Sequence, residues 1–176
     1  MKQFKTSLLT TAILLVLFSC KEISVPIEIT TDHFHTSIDK VVEVMIHDIF
    51  SPPVASRVFV YPNIAAYEIL AQNDSTYSSL KNQINHLGAI PSPNQPTKIN
   101  YPLAALIAHI HLSKQLIFSE AKIETHRDSL YNVWEAKNPK EFKESKAYGL
   151  EVAAYITDWM NKDNYAQTRT MPKFSV

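Results

Sequence analysis

The chain has 176 residues, 45% of them hydrophobic, with 17 Lys and Arg balancing 17 Asp and Glu. That is enough for one domain with a real core. A net charge of zero and the lack of a basic run interleaved with aromatics leave no field to draw in nucleic acid.

Only 2 Gly occur, against 10 Pro that fall mostly at corners. A β-sandwich or a Gly-rich phosphate loop wants more glycine, so the composition predicts an all-α domain. With a single Cys, no disulfide forms within the chain.

Lys2 and Lys5 precede an apolar run over residues 8–18. The run is too short to span a bilayer and has the shape of a secretory h-region. It ends in Leu17-Phe18-Ser19-Cys20, which resembles the bacterial lipobox. That resemblance implies that residues 1–19 are a signal peptide, that Cys20 is lipidated, and that the lipid tethers the protein to a membrane surface. Cys20 is followed by Lys21 and Glu22, not Asp, which implies the outer membrane of the cell envelope. Without residues 1–19 the chain keeps 15 basic and 17 acidic side chains, a charge of −2. Residues 20–32, interrupted by Pro26, read as an extended tether, and the helical domain follows over residues 33–176.

Ile38, Val41, Val42, Met45, Ile46 and Ile49 recur at steps of three and four, which predicts an amphipathic helix over about 33–50, capped by Thr31 or Asp32. Ser51 then caps a second helix opened by Pro52 and Pro53, with Pro62 expected to kink it. The stretch from His47 to Leu70 carries a His, an Asp, an Arg, two Tyr and a Glu among apolar residues, and the other helices are expected to pack around it. Asp74-Ser75-Thr76 predicts a cap for a short helix ended by Gly88. Pro91, Pro93 and Pro96 then force a loop. Asn100 caps a helix apolar on nearly all sides, which is expected to be central. Residues 119–137 form a more charged outer helix. A last helix starts at Asn138-Pro139 and runs to about Asn161. The total is about five main helices, and the tail over residues 162–176 has no apolar pattern of its own.

The seven His do not make a metal site on spacing. His33/His35 and His109/His111 are two apart, which points them to different helix faces, and no HExxH or Glu-x-x-His motif occurs. Glu43 and His47 are four apart and predict a surface pair. The corner between the first two helices is expected to bring Asp48 to Arg57 in a charge-assisted structural clamp; the sharper alternative makes Arg57 an oxyanion binder. Arg57, Tyr61 and Glu68 share a helix face, either as a buried network that locks packing or as the wall of a pocket. No nucleophile elbow, Walker loop or dinucleotide fingerprint is present.

The corner His47-Asp48-Ile49-Phe50-Ser51-Pro52-Pro53-Val54-Ala55-Ser56-Arg57, followed by Tyr61 and Ile64-Ala65-Ala66-Tyr67-Glu68, resembles the N-terminal half of lipid-anchored bacterial proteins of the vanadium-dependent haloperoxidase and type 2 phosphatidic acid phosphatase superfamily. Gly149-Leu150-Glu151-Val152-Ala153-Ala154-Tyr155-Ile156, with Trp159 and Asp163, is similar to that family's fifth-helix region. Thr168-Arg169-Thr170-Met171-Pro172 resembles the segment before its Trp/Pro-rich connection.

The resemblance implies a helical bundle, here an incomplete one. The family holds vanadate or a substrate phosphate between Lys, Arg and His of three motifs in its C-terminal half: Lys-to-Arg-Pro, Pro-Ser-Gly-His and Ser-Arg-to-His. None of them occurs in this sequence. No catalytic, cofactor-binding or metal-binding residue therefore carries over, and Asp48, Arg57, Tyr61 and Glu68 stand as a structural polar cluster. The expectation is the scaffold half of a haloperoxidase or acid phosphatase, truncated before its catalytic half and inactive alone, with that half as its partner. A complete, non-enzymatic, membrane-anchored binding lipoprotein is the alternative.

Overall fold

A computed structural model describes residues 25–168. The signal peptide over 1–19, the lipidation site Cys20 and the segment from Arg169 onward lie outside the described residues.

Residues 25–30 are extended. Helices α1 (Thr31–His47) and α2 (Pro52–Asn73) follow. A long loop then contains one 3-10 turn (Pro96–Lys98) and leads to α3 (Tyr101–Gln115), α4 (Glu120–Lys137), α5 (Pro139–Met160) and the short α6 (Tyr165–Thr168). No strand occurs among the described residues, and no helix among them is long and apolar enough to cross a membrane. The five long helices are those the apolar periodicity predicts.

The helices run alternately up and down. Ser145 Oγ accepts from Asn100 N–H, and Thr157 Oγ1 donates to Gln115 Oε1, so α5 lies parallel to α3. Tyr61 meets Trp159 and Tyr148 reaches Gln72, so α2 lies antiparallel to α5. Asn100 caps α3 by accepting from Leu103 N–H at 3.1 Å, and Asn138 caps α5 by accepting from Glu141 N–H at 3.2 Å. Helix α2 is continuous through Pro62.

The centre of the bundle is α3, not the corner around residues 47–70. Its Leu103, Leu106, Ile107 and Ile110 face a core shared with α1 and α4, built on Val41, Val44, Ile123 and Trp134. Its Ala104, Ala105 and Ala108 face a second core shared with α2 and α5. Small residues on that side let helix backbones approach closely; a Cβ added to Gly149 would sit 2.5 Å from the Ala104 carbonyl oxygen. Helix α4 buries only Ile123 and Trp134, which suits an outer helix.

Several boundaries differ from the sequence reading: α1 is capped by Thr30, not by Thr31 or Asp32, and ends at His47, short of residue 50. The lead-in is not loose up to residue 32: α1 begins at Thr31, and Ile27 is buried in the core with α1 and α4. No helix forms between Asp74 and Gly88. Asp74 Oδ1 accepts from Thr76 N–H at 2.9 Å and from its hydroxyl, a local bond that competes with a helical turn. Asn82 and His86 then adopt φ of 61° each, outside the right-handed helical region.

Candidate functional site

The four polar residues singled out in the sequence occupy three separate places. Arg57 and Tyr61 come together, but on a partner the corner did not suggest. Arg57 Nε and Nη2 both donate to Asp163 Oδ2, at 2.9 and 2.8 Å, and the Tyr61 hydroxyl donates to the same oxygen at 2.7 Å. The guanidinium lies 3.9 Å from the Tyr165 ring centroid and 5.1 Å from that of Tyr61, so it is held between two aromatic faces. Asp163 Oδ1 accepts from Tyr165 N–H at 2.8 Å. Burial alone would raise the Asp163 carboxyl, but the bonds from Tyr61, the Tyr165 amide and Arg57 hold it below its ordinary value. Burial first, then the Asp163 carboxylate, pushes the Tyr61 hydroxyl up.

Asp48 does not meet Arg57. It ends α1 and turns to the start of α4, where Oδ2 accepts from Phe118 N–H at 2.9 Å and Ser119 N–H at 3.0 Å, and Oδ1 accepts from the Ser119 hydroxyl at 2.5 Å. Burial works against the ionised form, and those bonds outweigh it, so the carboxyl sits below its ordinary value. The result is a staple between the α1–α2 and α3–α4 corners, reinforced by edge-on packing of Phe50 and Phe118 at 4.8 Å. The expected Asp48–Arg57 clamp does not form: Asp48 is taken by Phe118 and Ser119, and Arg57 by Asp163.

Glu68 is 2% exposed. Its carboxylate accepts from the Ser79 hydroxyl at 2.7 Å and from Leu80 N–H at 2.6 Å, tying the loop after α2 to the helix. Tyr67 adds a bond from its hydroxyl to the Ser78 carbonyl at 2.8 Å. Glu68 is thus a buried loop anchor and stands apart from Arg57.

A cavity of about 380 Å³ opens beside the Arg57–Asp163 pair, walled by Tyr61, Ile64, Ile84, Trp159 and Met160, with Lys162 at its edge. Trp159 closes one side by donating its indole N–H to the Asn85 carbonyl at 3.1 Å. In the sequence Asp163 carries only a likeness to a family helix. Its pairing with Arg57 across 106 residues had no local signal.

The remaining His and Glu candidates stay apart. Glu43 pairs with Lys40 at 2.8 Å, not with His47. His109 is buried against Ser37 Oγ at 3.5 Å, and burial lowers its pKa to about 4, so it is neutral at pH 7. Among the described residues no three His, Cys, Asp or Glu side chains converge so as to hold a metal ion.

Vanadate is a multiply charged oxyanion, and holding one takes several convergent cations and N–H donors. The described cations do not offer that. Arg57 is committed to Asp163, Arg127 to Asp128 and Glu124, Lys114 to Glu120 and Glu124, and Lys40 to Glu43. Lys162, at the cavity edge, has no ion pair among the described residues, but one lysine beside the Asp163 carboxylate is not the convergent set that vanadate takes, so the described residues do not fit the group.

No family model and no curated protein matches the chain. Among solved structures, the crystal structure of the first bacterial vanadium-dependent iodoperoxidase matches it at 63% identity with a TM-score of 0.85, covering 87% of this chain. The chain spans only 37% of that protein, nearer a third than a half. High identity and a shared all-α frame over nearly the whole of this sequence make the chain similar to one part of that iodoperoxidase, a match consistent with a partial vanadium haloperoxidase.

Proposed function

We propose that this chain is the scaffold portion of a vanadium haloperoxidase-like protein, exported and anchored at the outer membrane of the cell envelope by a lipid on Cys20. The complete protein would oxidise a halide with peroxide, or hydrolyse a phosphate ester. The solved relative is an iodoperoxidase, so iodide is the first halide to assay. By itself this chain neither holds vanadate nor turns over, and it needs the remaining part of the fold as a partner.

The observation that carries the reading is the state of the cations. The arginine nearest the cavity has both donating nitrogens on a single carboxylate oxygen, so its charge is already matched. An oxyanion arriving there would have to displace Asp163. The work of Arg57, Tyr61 and Asp163 is to fix α2 against the end of α5.

The test is to assay the purified chain for peroxide-dependent iodide oxidation after loading with vanadate, and for phosphatase activity without it. The expected result is background in both. Turnover by the chain alone in either assay would overturn the reading. If the chain is inactive and is not restored by the remaining part of the solved relative, a binding lipoprotein without enzymatic function becomes the better account.

A further inference from the structure

The lead-in to the bundle is locked down by a partly buried polar knot. Ile27 N–H donates to Glu141 Oε2 at 2.8 Å, and the Ile27 carbonyl accepts from Asn100 Nδ2 at 2.6 Å. Asn138 Nδ2 donates to Glu141 Oε2 at 3.1 Å and to the Val25 carbonyl at 3.4 Å, while Asn100 Nδ2 also reaches Glu141 Oε1 at 3.1 Å. The Ile27 side chain is 3% exposed. Asn100 and Asn138 are the capping residues of α3 and α5, so the knot joins the incoming chain to the N-terminal ends of both helices. A plain linker has no need of such bonds, and backbone groups satisfied this way do not come free cheaply.

We propose that this knot sets the orientation of the protein on its membrane: the end of the bundle that carries the α3 and α5 N-termini faces the bilayer, with Val25, Lys98, Lys140 and Lys143 towards the lipid headgroups. The inference rests on the reading that Cys20 is lipidated.

Lengths decide the matter. Val25 is the fifth residue after Cys20, and covalent geometry limits that span to about 17 Å. Helix α5 has 22 residues and is about 33 Å long. With the knot closed, the far end of the bundle cannot be turned to the membrane, because Val25 would then stand about 33 Å away on a tether of half that reach. With the knot open, the free segment would extend from Cys20 to Thr31, about 38 Å, and either end would reach.

The near end suits a headgroup surface. Val25 is 54% exposed there, and Lys98, Lys137, Lys140 and Lys143 are exposed. None of these lysines has an ion-pair partner among the described residues. Glu28, Asp32 and Glu135 are exposed at the same end, so charge alone does not bind the surface. Position comes from the tether and the knot.

The test uses the full lipidated chain in vesicles of phosphatidylethanolamine and phosphatidylglycerol carrying a headgroup acceptor dye. A donor dye is placed on Lys140→Cys or on Asp158→Cys, both exposed and about 27 Å apart along α5. Energy transfer is expected to be several-fold stronger from position 140. Inserting about ten Gly and Ser residues after Lys21 lengthens the tether by more than 30 Å and should remove most of the difference without touching the fold. Glu141→Ala, which opens the knot, should do the same. Equal or stronger transfer from position 158, with the lipid on Cys20 confirmed by mass spectrometry, would overturn the orientation and leave the anchor standing. A full difference that survives the insertion would overturn the short tether as its cause. A chain without lipid in the mass spectrum would overturn the anchor reading itself.

Discussion

Arg57 and Asp163 are 106 residues apart, yet two guanidinium nitrogens of the first converge on one carboxylate oxygen of the second. The pair ties the first turns of α2 to the turn that follows α5. Both side chains are mostly buried, at 18% and 23% exposure, so an unpaired partner stays in poor contact with water. Arg57→Ala and Asp163→Asn should each lower stability by about 1–3 kcal/mol, and the double variant should lose less than the sum. Chemical denaturation of the four proteins measures this. Strict additivity would mean that the contact is only apposition.

Asp48 and Ser119 make the second long-range tie. Asp48→Ala removes three acceptor bonds at once and leaves two backbone N–H groups of the α3–α4 corner without their partner. The expected cost is about 2 kcal/mol, and Ser119→Ala should cost roughly half of that. Ile49, the next residue, has φ of 54° and is 88% exposed, a strained setting for a β-branched residue with little burial in return. Ile49→Gly should therefore raise the melting temperature, by an amount corresponding to about 1 kcal/mol. A lower value would contradict the strain.

Gly149 is where α5 comes closest to α3. A methyl group there would stand 2.5 Å from the Ala104 carbonyl oxygen, on backbone that cannot swing aside. In an isolated helix Gly→Ala is favourable by about 1 kcal/mol. Here Gly149→Ala should destabilise by about 2 kcal/mol or more, because the helices must move apart along the alanine face of α3. Thermal melting against the wild type gives the sign directly.

His109 gives the pH dependence. Its folded-state pKa lies near 4 against an ordinary 6.5, because burial disfavours the charged ring. Between those values the unfolded chain binds the proton and the folded chain does not, so stability rises with pH there and is lost as pH falls from 6.5 to about 4. The full loss is on the order of 3 kcal/mol. Asp163 and Asp48, both held below their ordinary values, add further loss at lower pH. His109→Leu should reduce the slope below pH 6.5 in denaturant titrations, leaving the smaller part from His111 and His126, which burial also lowers, and the carboxylate part at lower pH.

The helices were legible because their signal is local. The run of apolar residues on every side of residues 101–115 marks a helix that must be surrounded, and α3 is surrounded. Asn100 and Asn138 announced their caps. What was not legible was pairing across the fold. Asp48 lies nine residues from Arg57 around a tight corner and looked like its partner, yet α2 points Arg57 away from the corner and towards the end of α5. Nothing near Arg57 in sequence encodes the antiparallel register that puts Tyr61 on Trp159 and Arg57 on Asp163. Asp74-Ser75-Thr76 misled for another reason. The same oxygen that can cap a helix can close a turn, and here Glu68 draws the following Leu80 N–H inward and out of helical geometry.

The most direct measurement is vanadium NMR, or titration calorimetry, of vanadate added to the purified chain without any other part of the fold. Because Arg57 beside the cavity is already matched by Asp163, and Lys162 alone does not make a convergent set of cations, free vanadate should remain the only signal and no heat should saturate. Uptake of one vanadate per chain at micromolar concentration would contradict the account.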